Sequence, residues 1–147
     1  MAVVVGSPLP RGAALRMVSH RVLLSWSSGK DSAWALQVLR QQPDLEVVGL
    51  LTTFNEAADR VAMHAVRPAL VKAQAAATGL PLWPVRLPAP CSTAAYQACM
   101  QSVLDRAREA GVTHVAFSDL FLEDVRAYRA ALLAELPPCS RSLCRTR

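Results

Sequence analysis

Between Val22 and Leu36 the chain reads VLLSWSSGKDSAWAL, an apolar run broken by Ser27-Ser28-Gly29-Lys30-Asp31-Ser32 before a helical pattern starts at once. The hydroxyls of Ser25, Ser27, Ser28 and Ser32 and the Lys30 cation all suit an anion, and Gly29 allows a close backbone approach or a positive φ. A helix opening directly after the loop adds unpaired N–H groups and the positive end of its dipole. Phosphate is the ligand this chemistry favours. Asp31 would be repelled by a bare phosphate, so its carboxylate is expected to turn toward backbone donors or Mg2+. Neither of two familiar phosphate loops fits. Walker A needs glycine where Leu24 stands and a hydroxyl where Asp31 stands, and G-x-G-x-x-G is absent. On these residues alone, an ordinary helix cap containing Gly-Lys-Asp is the competing account.

Other residues gain interest from position. Asp119 follows the apolar stretch THVAFS (113–118), where either a Mg2+ ligand, a substrate-facing acid or a turn cap would stand. Thr52, Thr53 and Phe54 end the run 45–54, where a ligand would rest, although core packing explains Phe54 more simply. Glu123 and Asp124 suit a helix start equally well. Trp26 and Trp34 read as core, and Tyr96 and Cys99 as packing.

The elements that must position these groups alternate. Strands are expected over 21–26, 45–54, 80–87 and 113–118, with prolines marking 80–87 as an edge. Helices are expected over 30–42, over 64–79 with its proper start near Arg67 because of Pro68, from Ser92 or Thr93 to Ala110, and over 125–136. Gly79 and Gly111 stand where helices end, and 55–63 reads as a loop. Strand-helix alternation of this kind gives an α/β fold with a mostly parallel sheet of about four strands, whose ligands sit beyond the strands' carboxyl ends.

Composition narrows the function classes. At 147 residues and 52% hydrophobic, the chain suits one domain around a sheet buried on both faces, and no apolar run is long enough to span a membrane. The net charge of +5 comes from the ends: Arg11, Arg16, Arg141, Arg145 and Arg147 lie there, and the remaining 11 basic residues match 11 acidic ones. That leaves no basic stripe of the kind that binds nucleic acid. Cys91, Cys99, Cys139 and Cys144 have no C-x-x-C spacing and read as reduced thiols of a cytoplasmic protein. Residues 1–20 make a poor signal peptide and are expected to be a disordered leader, 21–136 the domain that carries the phosphate loop, and 137–147 a disordered basic tail. With no strand expected beyond 136, the edge of 113–118 is expected to stay open, or to be covered only by loosely packed tail, and to promote self-association.

The stretch SSGKDS resembles the PP-loop, S-G-G-K-D-S, of the N-type ATP pyrophosphatases, with Ser28 in place of one of the paired glycines. Together with MHAVRPALVKAQAAATGLPL and GVTHVAFSDLFLEDVRAYR, in that order over about 21–130, it is similar to the diphthine–ammonia ligase-like group, the adenine nucleotide alpha-hydrolase family. The resemblance implies a Rossmann-like sandwich binding ATP with Mg2+. Lys30, Asp31 and Asp119 would take catalytic roles, with Asp31 and Asp119 on the metal. Ser25, Ser27, Ser28, Gly29, Lys30, Asp31, Ser32, Thr53 and His64 would contact the nucleotide. His64 and its neighbour Arg60 read equally as a solvated loop. The implied reaction has a carboxylate oxygen of an acyl substrate attack the α-phosphorus; pyrophosphate leaves, and ammonia then displaces AMP to form an amide.

Two departures bear on activity. Ser118-Asp119 stands where the family has Gly-Asp, and the family's later strands and C-G-E-x-G-E-[FY]-H motif do not follow Ala130. A C-terminally truncated chain is therefore expected. Two readings stay open: an ATP-dependent amide-forming ligase, and a catalytically incomplete ATP- or AMP-binding module.

Overall fold

The computed structural model describes residues 3–6, 20–56, 60–61, 66–118 and 142–143. In chain order these form β1 (Val3–Gly6), β2 (His20–Ser25), α1 (Lys30–Arg40), β3 (Leu45–Asn55), β4 (Arg60–Val61), α2 (Pro68–Thr78), β5 (Leu82–Leu87), α3 (Thr93–Glu109), β6 (His114–Phe117) and β7 (Ser142–Leu143). The parallel heart of the sheet has the order β5-β3-β2-β6, the parallel α/β arrangement expected from the alternating elements and consistent with the Rossmann-like sandwich that the resemblance implies. β5, the strand with prolines, pairs with β3 alone.

Local chemistry explains the helix ends. Pro68 takes the first helical position of α2 with Arg67 as its cap residue, and Gly79 closes that helix in the left-handed region at φ 72°. The Ser92 side chain accepts a hydrogen bond from the Ala95 N–H at 3.1 Å and so starts α3.

Two apolar layers flank the sheet. Val22, Leu24, Leu50 and Phe54 face α1 and α2, packing on Leu36, Leu39, Val71 and Ala75. Leu23, Leu51 and Val85 face α3 and meet Met100, Val103 and Leu104. On α1 the buried residues are Ser32, Ala35, Leu36 and Leu39, a stripe at helical spacing. Trp34 lies off that stripe and is 62% exposed, which corrects its reading as core; Trp26 is buried as expected.

β3 contains an irregularity that periodicity conceals. Val22 pairs with Val47 but Leu23 pairs with Gly49, so Val48 is an extra residue. Val48 packs on the α3 side, and a Cβ on Gly49 would point there too, 2.8 Å from Leu23 Cδ2 and 2.7 Å from Trp83 Nε1. Gly49→Ala is expected to destabilise the fold by about 1–2 kcal/mol, because fully buried Leu23 and the Trp83 indole must both move. Denaturant unfolding of wild type and variant measures this, and equal midpoints would refute it.

Three antiparallel strands extend the parallel core. β4 adds a two-residue pairing with the end of β3, within the stretch expected as loop. β1 pairs along β6, and β7 pairs with β1. The expectation of an open edge beside 113–118 is thereby corrected: Val3-Val4-Val5 is β-branched and takes that edge. Ser142–Leu143 pairs through main-chain groups, which need no apolar run. The rest of the leader and tail, and the helix expected over 125–136, lie outside the described residues.

At the amino ends of β2 and β6, the His20 and His114 rings meet edge-on with centroids 4.5 Å apart. Burial, and secondarily the neighbouring His20, push the His114 pKa down to about 4. An unfolded histidine titrates near ~6.5, so between those values the unfolded chain binds a proton that the native state refuses. The stabilisation is complete above pH ~6.5 and is lost as pH falls toward ~4. From pH 7 to pH 5 the fold should lose on the order of 1–2 kcal/mol through this group. Thermal melts of wild type and His114→Asn at both pH values test this; an equal drop in both proteins would assign it elsewhere.

Candidate functional site

The carboxyl end of β2 lies between those of β3 and β6. The chain leaves β2 for α1 on one face of the sheet and reaches β6 from α3 on the other, so a topological switch point lies between β2 and β6. The loop 26–29 sits at that point.

The loop is braced from below. The Trp26 N–H donates to the Leu51 carbonyl at 2.7 Å, and buried Thr52 Oγ1 donates to the Trp26 carbonyl at 3.0 Å. The Trp26 indole Nε1 donates to Gln74 Oε1 of α2, also at 3.0 Å. Gln74 escaped the sequence reading, its one signal being a polar residue amid the alanines of α2. The loop's serines then brace one another. Ser32 Oγ, fully buried, donates to the Gly29 carbonyl at 2.9 Å, so the Ser27 hydroxyl is the donor across the 3.3 Å to Ser32 Oγ.

What remains uncommitted points to an anion. Gly29 caps α1 with extended geometry and no side-chain cap bond, so among the described residues the start of α1 has no side-chain cap. Ser28 has φ +68°, the left-handed region that favours glycine, at a position where the PP-loop pattern has glycine. Its Oγ is buried without a hydrogen-bond partner, a state that costs roughly 1–3 kcal/mol. The Lys30 side chain is 91% exposed, with Nζ 3.4 Å from Asp31 Oδ1. An orphaned hydroxyl, an uncapped helix start and an exposed ammonium group are the donor set a polyphosphate chain fits.

Of the other residues singled out, Ser25 ends β2 and is half-buried, as is Thr53 near the end of β3. Ser118 directly follows β6 and is half-buried. His64 and Asp119 lie outside the described residues. Among the described residues no group of three or more His, Cys, Asp or Glu could hold a metal by itself. Asp31 is the carboxylate that the described residues place within this loop. Cys91 and Cys99 carry free thiols, and no helix among the described residues is long and apolar enough to cross a membrane.

No curated protein and no solved structure matches the chain. The model of the diphthamide synthase N-terminal domain matches residues 20–128, which takes in β2 through β6 and the whole of the Ser27–Ser32 loop. With that sheet order, that loop at its switch point and that match, the chain belongs to the diphthamide synthase N-terminal domain family, within the adenine nucleotide alpha-hydrolase/PP-loop group.

Proposed function

We propose that the chain binds ATP with Mg2+ at residues 25–32 and cleaves it to AMP and pyrophosphate, adenylating a carboxylate for amide formation with ammonia. The observation that carries the reading is the orphaned Ser28 hydroxyl beside the uncapped start of α1. PP-loop proteins generally bind ATP. In this reading the first-turn N–H groups, the Ser28 hydroxyl and Lys30 hold the phosphates. Ser25, Ser27, Gly29 and Ser32 shape the loop around them, while Thr53 and His64 flank the nucleoside. Mg2+ neutralises charge on the phosphates when bound, and Asp31 and Asp119 are its carboxylates. An acyl substrate of the diphthine type and ammonia complete the reaction, in a cytoplasmic setting.

This chemistry asks for position and charge neutralisation more than for covalent catalysis, which suits a loop made of donors. The test is product analysis after incubation with Mg-ATP, with and without ammonium and a candidate carboxylate. AMP and pyrophosphate are expected. ADP and phosphate as main products would overturn the assignment, and tight ATP binding without turnover would favour the binding-module reading.

A further inference from the structure

The end of the sheet opposite the Ser27–Ser32 loop holds a crevice of about 370 Å3, within the size range of small-molecule sites. Arg21 at the start of β2, Val48 of the bulge, Trp83 of β5, Val103 and Arg106 on one face of α3, and Ala110 at that helix's C-cap line it. Among the described residues its charged side chains are the two arginines, and no carboxylate lines it. Among the described residues, neither arginine has a carboxylate within ion-pair distance, the ion pairs there being Lys30–Asp31 and Arg108–Asp105.

Both guanidinium groups are nevertheless held in place. Arg106 lies over the Trp83 ring, 5.6 Å from its centroid, and Arg21 Nη1 donates to the Ala110 carbonyl at the end of α3. Each contact leaves most of the five N–H donors of a guanidinium unused. Two glycines make room for this frame. A Cβ on Gly49 would meet the Trp83 indole, and one on Gly111 would stand 3.0 Å from Arg21 Nη1. An apolar crevice with a flat indole and two unneutralised planar cations is complementary to a flat apolar body carrying one carboxylate.

We propose that this crevice binds a small aromatic carboxylate, its ring against Trp83 and the valines and its carboxylate on Arg21 and Arg106. The site is separate from the ATP reading and does not depend on it. The probe is sodium 2-naphthoate, titrated into the full 15N-labelled chain and followed by amide and indole NMR shifts. Saturable shifts are expected at Val48, Trp83 and Ala110, with Kd on the order of 10⁻⁴–10⁻³ M for a ligand of this size.

The uncharged isostere 2-naphthamide, and the variant Arg106→Gln, should each bind about tenfold more weakly or worse. Ala110→Leu, which fills the crevice and keeps both charges, should abolish the shifts. Saturating pyrophosphate with Mg2+ should leave the naphthoate affinity unchanged. The proposal is overturned if naphthoate shifts Ser27–Ser32 instead, or if naphthamide, Arg106→Gln or Ala110→Leu leaves binding at the wild-type level.

Discussion

Ser28→Gly is expected to raise the melting temperature of the free protein while weakening its affinity for Mg-ATP. Serine at φ +68° bears a left-handed backbone penalty of about 1 kcal/mol, and its buried hydroxyl adds the cost of a missing partner. Glycine removes both and gives back roughly 0.5–1 kcal/mol through the greater freedom of the unfolded chain. The net gain should be roughly 1–3 kcal/mol, or several degrees in melting temperature. In the proposed complex that same hydroxyl donates to a charged phosphate, so its loss should cost roughly 1.5–3 kcal/mol, about tenfold to a hundredfold in Kd. Ser28→Ala separates the terms: it removes the hydroxyl but keeps a Cβ at positive φ, so it should lose affinity without the full gain in stability. Melts and calorimetry measure both quantities. A glycine variant that binds Mg-ATP as tightly as wild type would show that the hydroxyl serves no ligand.

Lys30→Ala should leave the fold intact and weaken ATP binding by about tenfold to a hundredfold, the worth of one charge-assisted contact of roughly 1.5–3 kcal/mol. The separation of binding from folding follows from geometry. The Lys30 side chain is 91% exposed, and its ion pair with Asp31, at 3.4 Å, is a surface pair of the kind that adds little stability. The difference between wild type and variant should also shrink as salt is added, because an exposed cation is screened. Calorimetry at low and high ionic strength tests both statements. Equal affinities for the two proteins at low salt would remove Lys30 from the site.

The loop was readable from the sequence because its chemistry is contiguous: serines, a glycine, a lysine and an aspartate stand together between an apolar run and a helical one. The alternation of elements was readable for the same reason, each strand and helix announcing itself locally. What was hidden involves partners. Trp34 looks like core by residue type, and only the stripe Ser32, Ala35, Leu36 and Leu39 shows that it lies elsewhere. β1 and β7 are too short to announce themselves, and they pair with residues far away in the chain. Gln74 matters through Trp26, 48 positions earlier. The positive φ of Ser28 had one trace in sequence, a serine where the loop pattern has glycine.

The bulge in β3 also bears on how the chain tolerates changes in length. Val47 and Leu50 face α1 and α2, whereas Val48 and Gly49 both face α3, so the strand carries one residue more than its alternation needs. Deleting Val48 would leave Val47, Gly49, Leu50, Leu51, Thr52 and Phe54 on their present faces, with Leu23 still opposite Gly49. Deleting one residue between Leu50 and Phe54 would invert part of the strand and turn Thr52 or Phe54 out of its layer. β3 thus has a single point of slack, and natural or engineered single-residue deletions that survive in this strand should fall there.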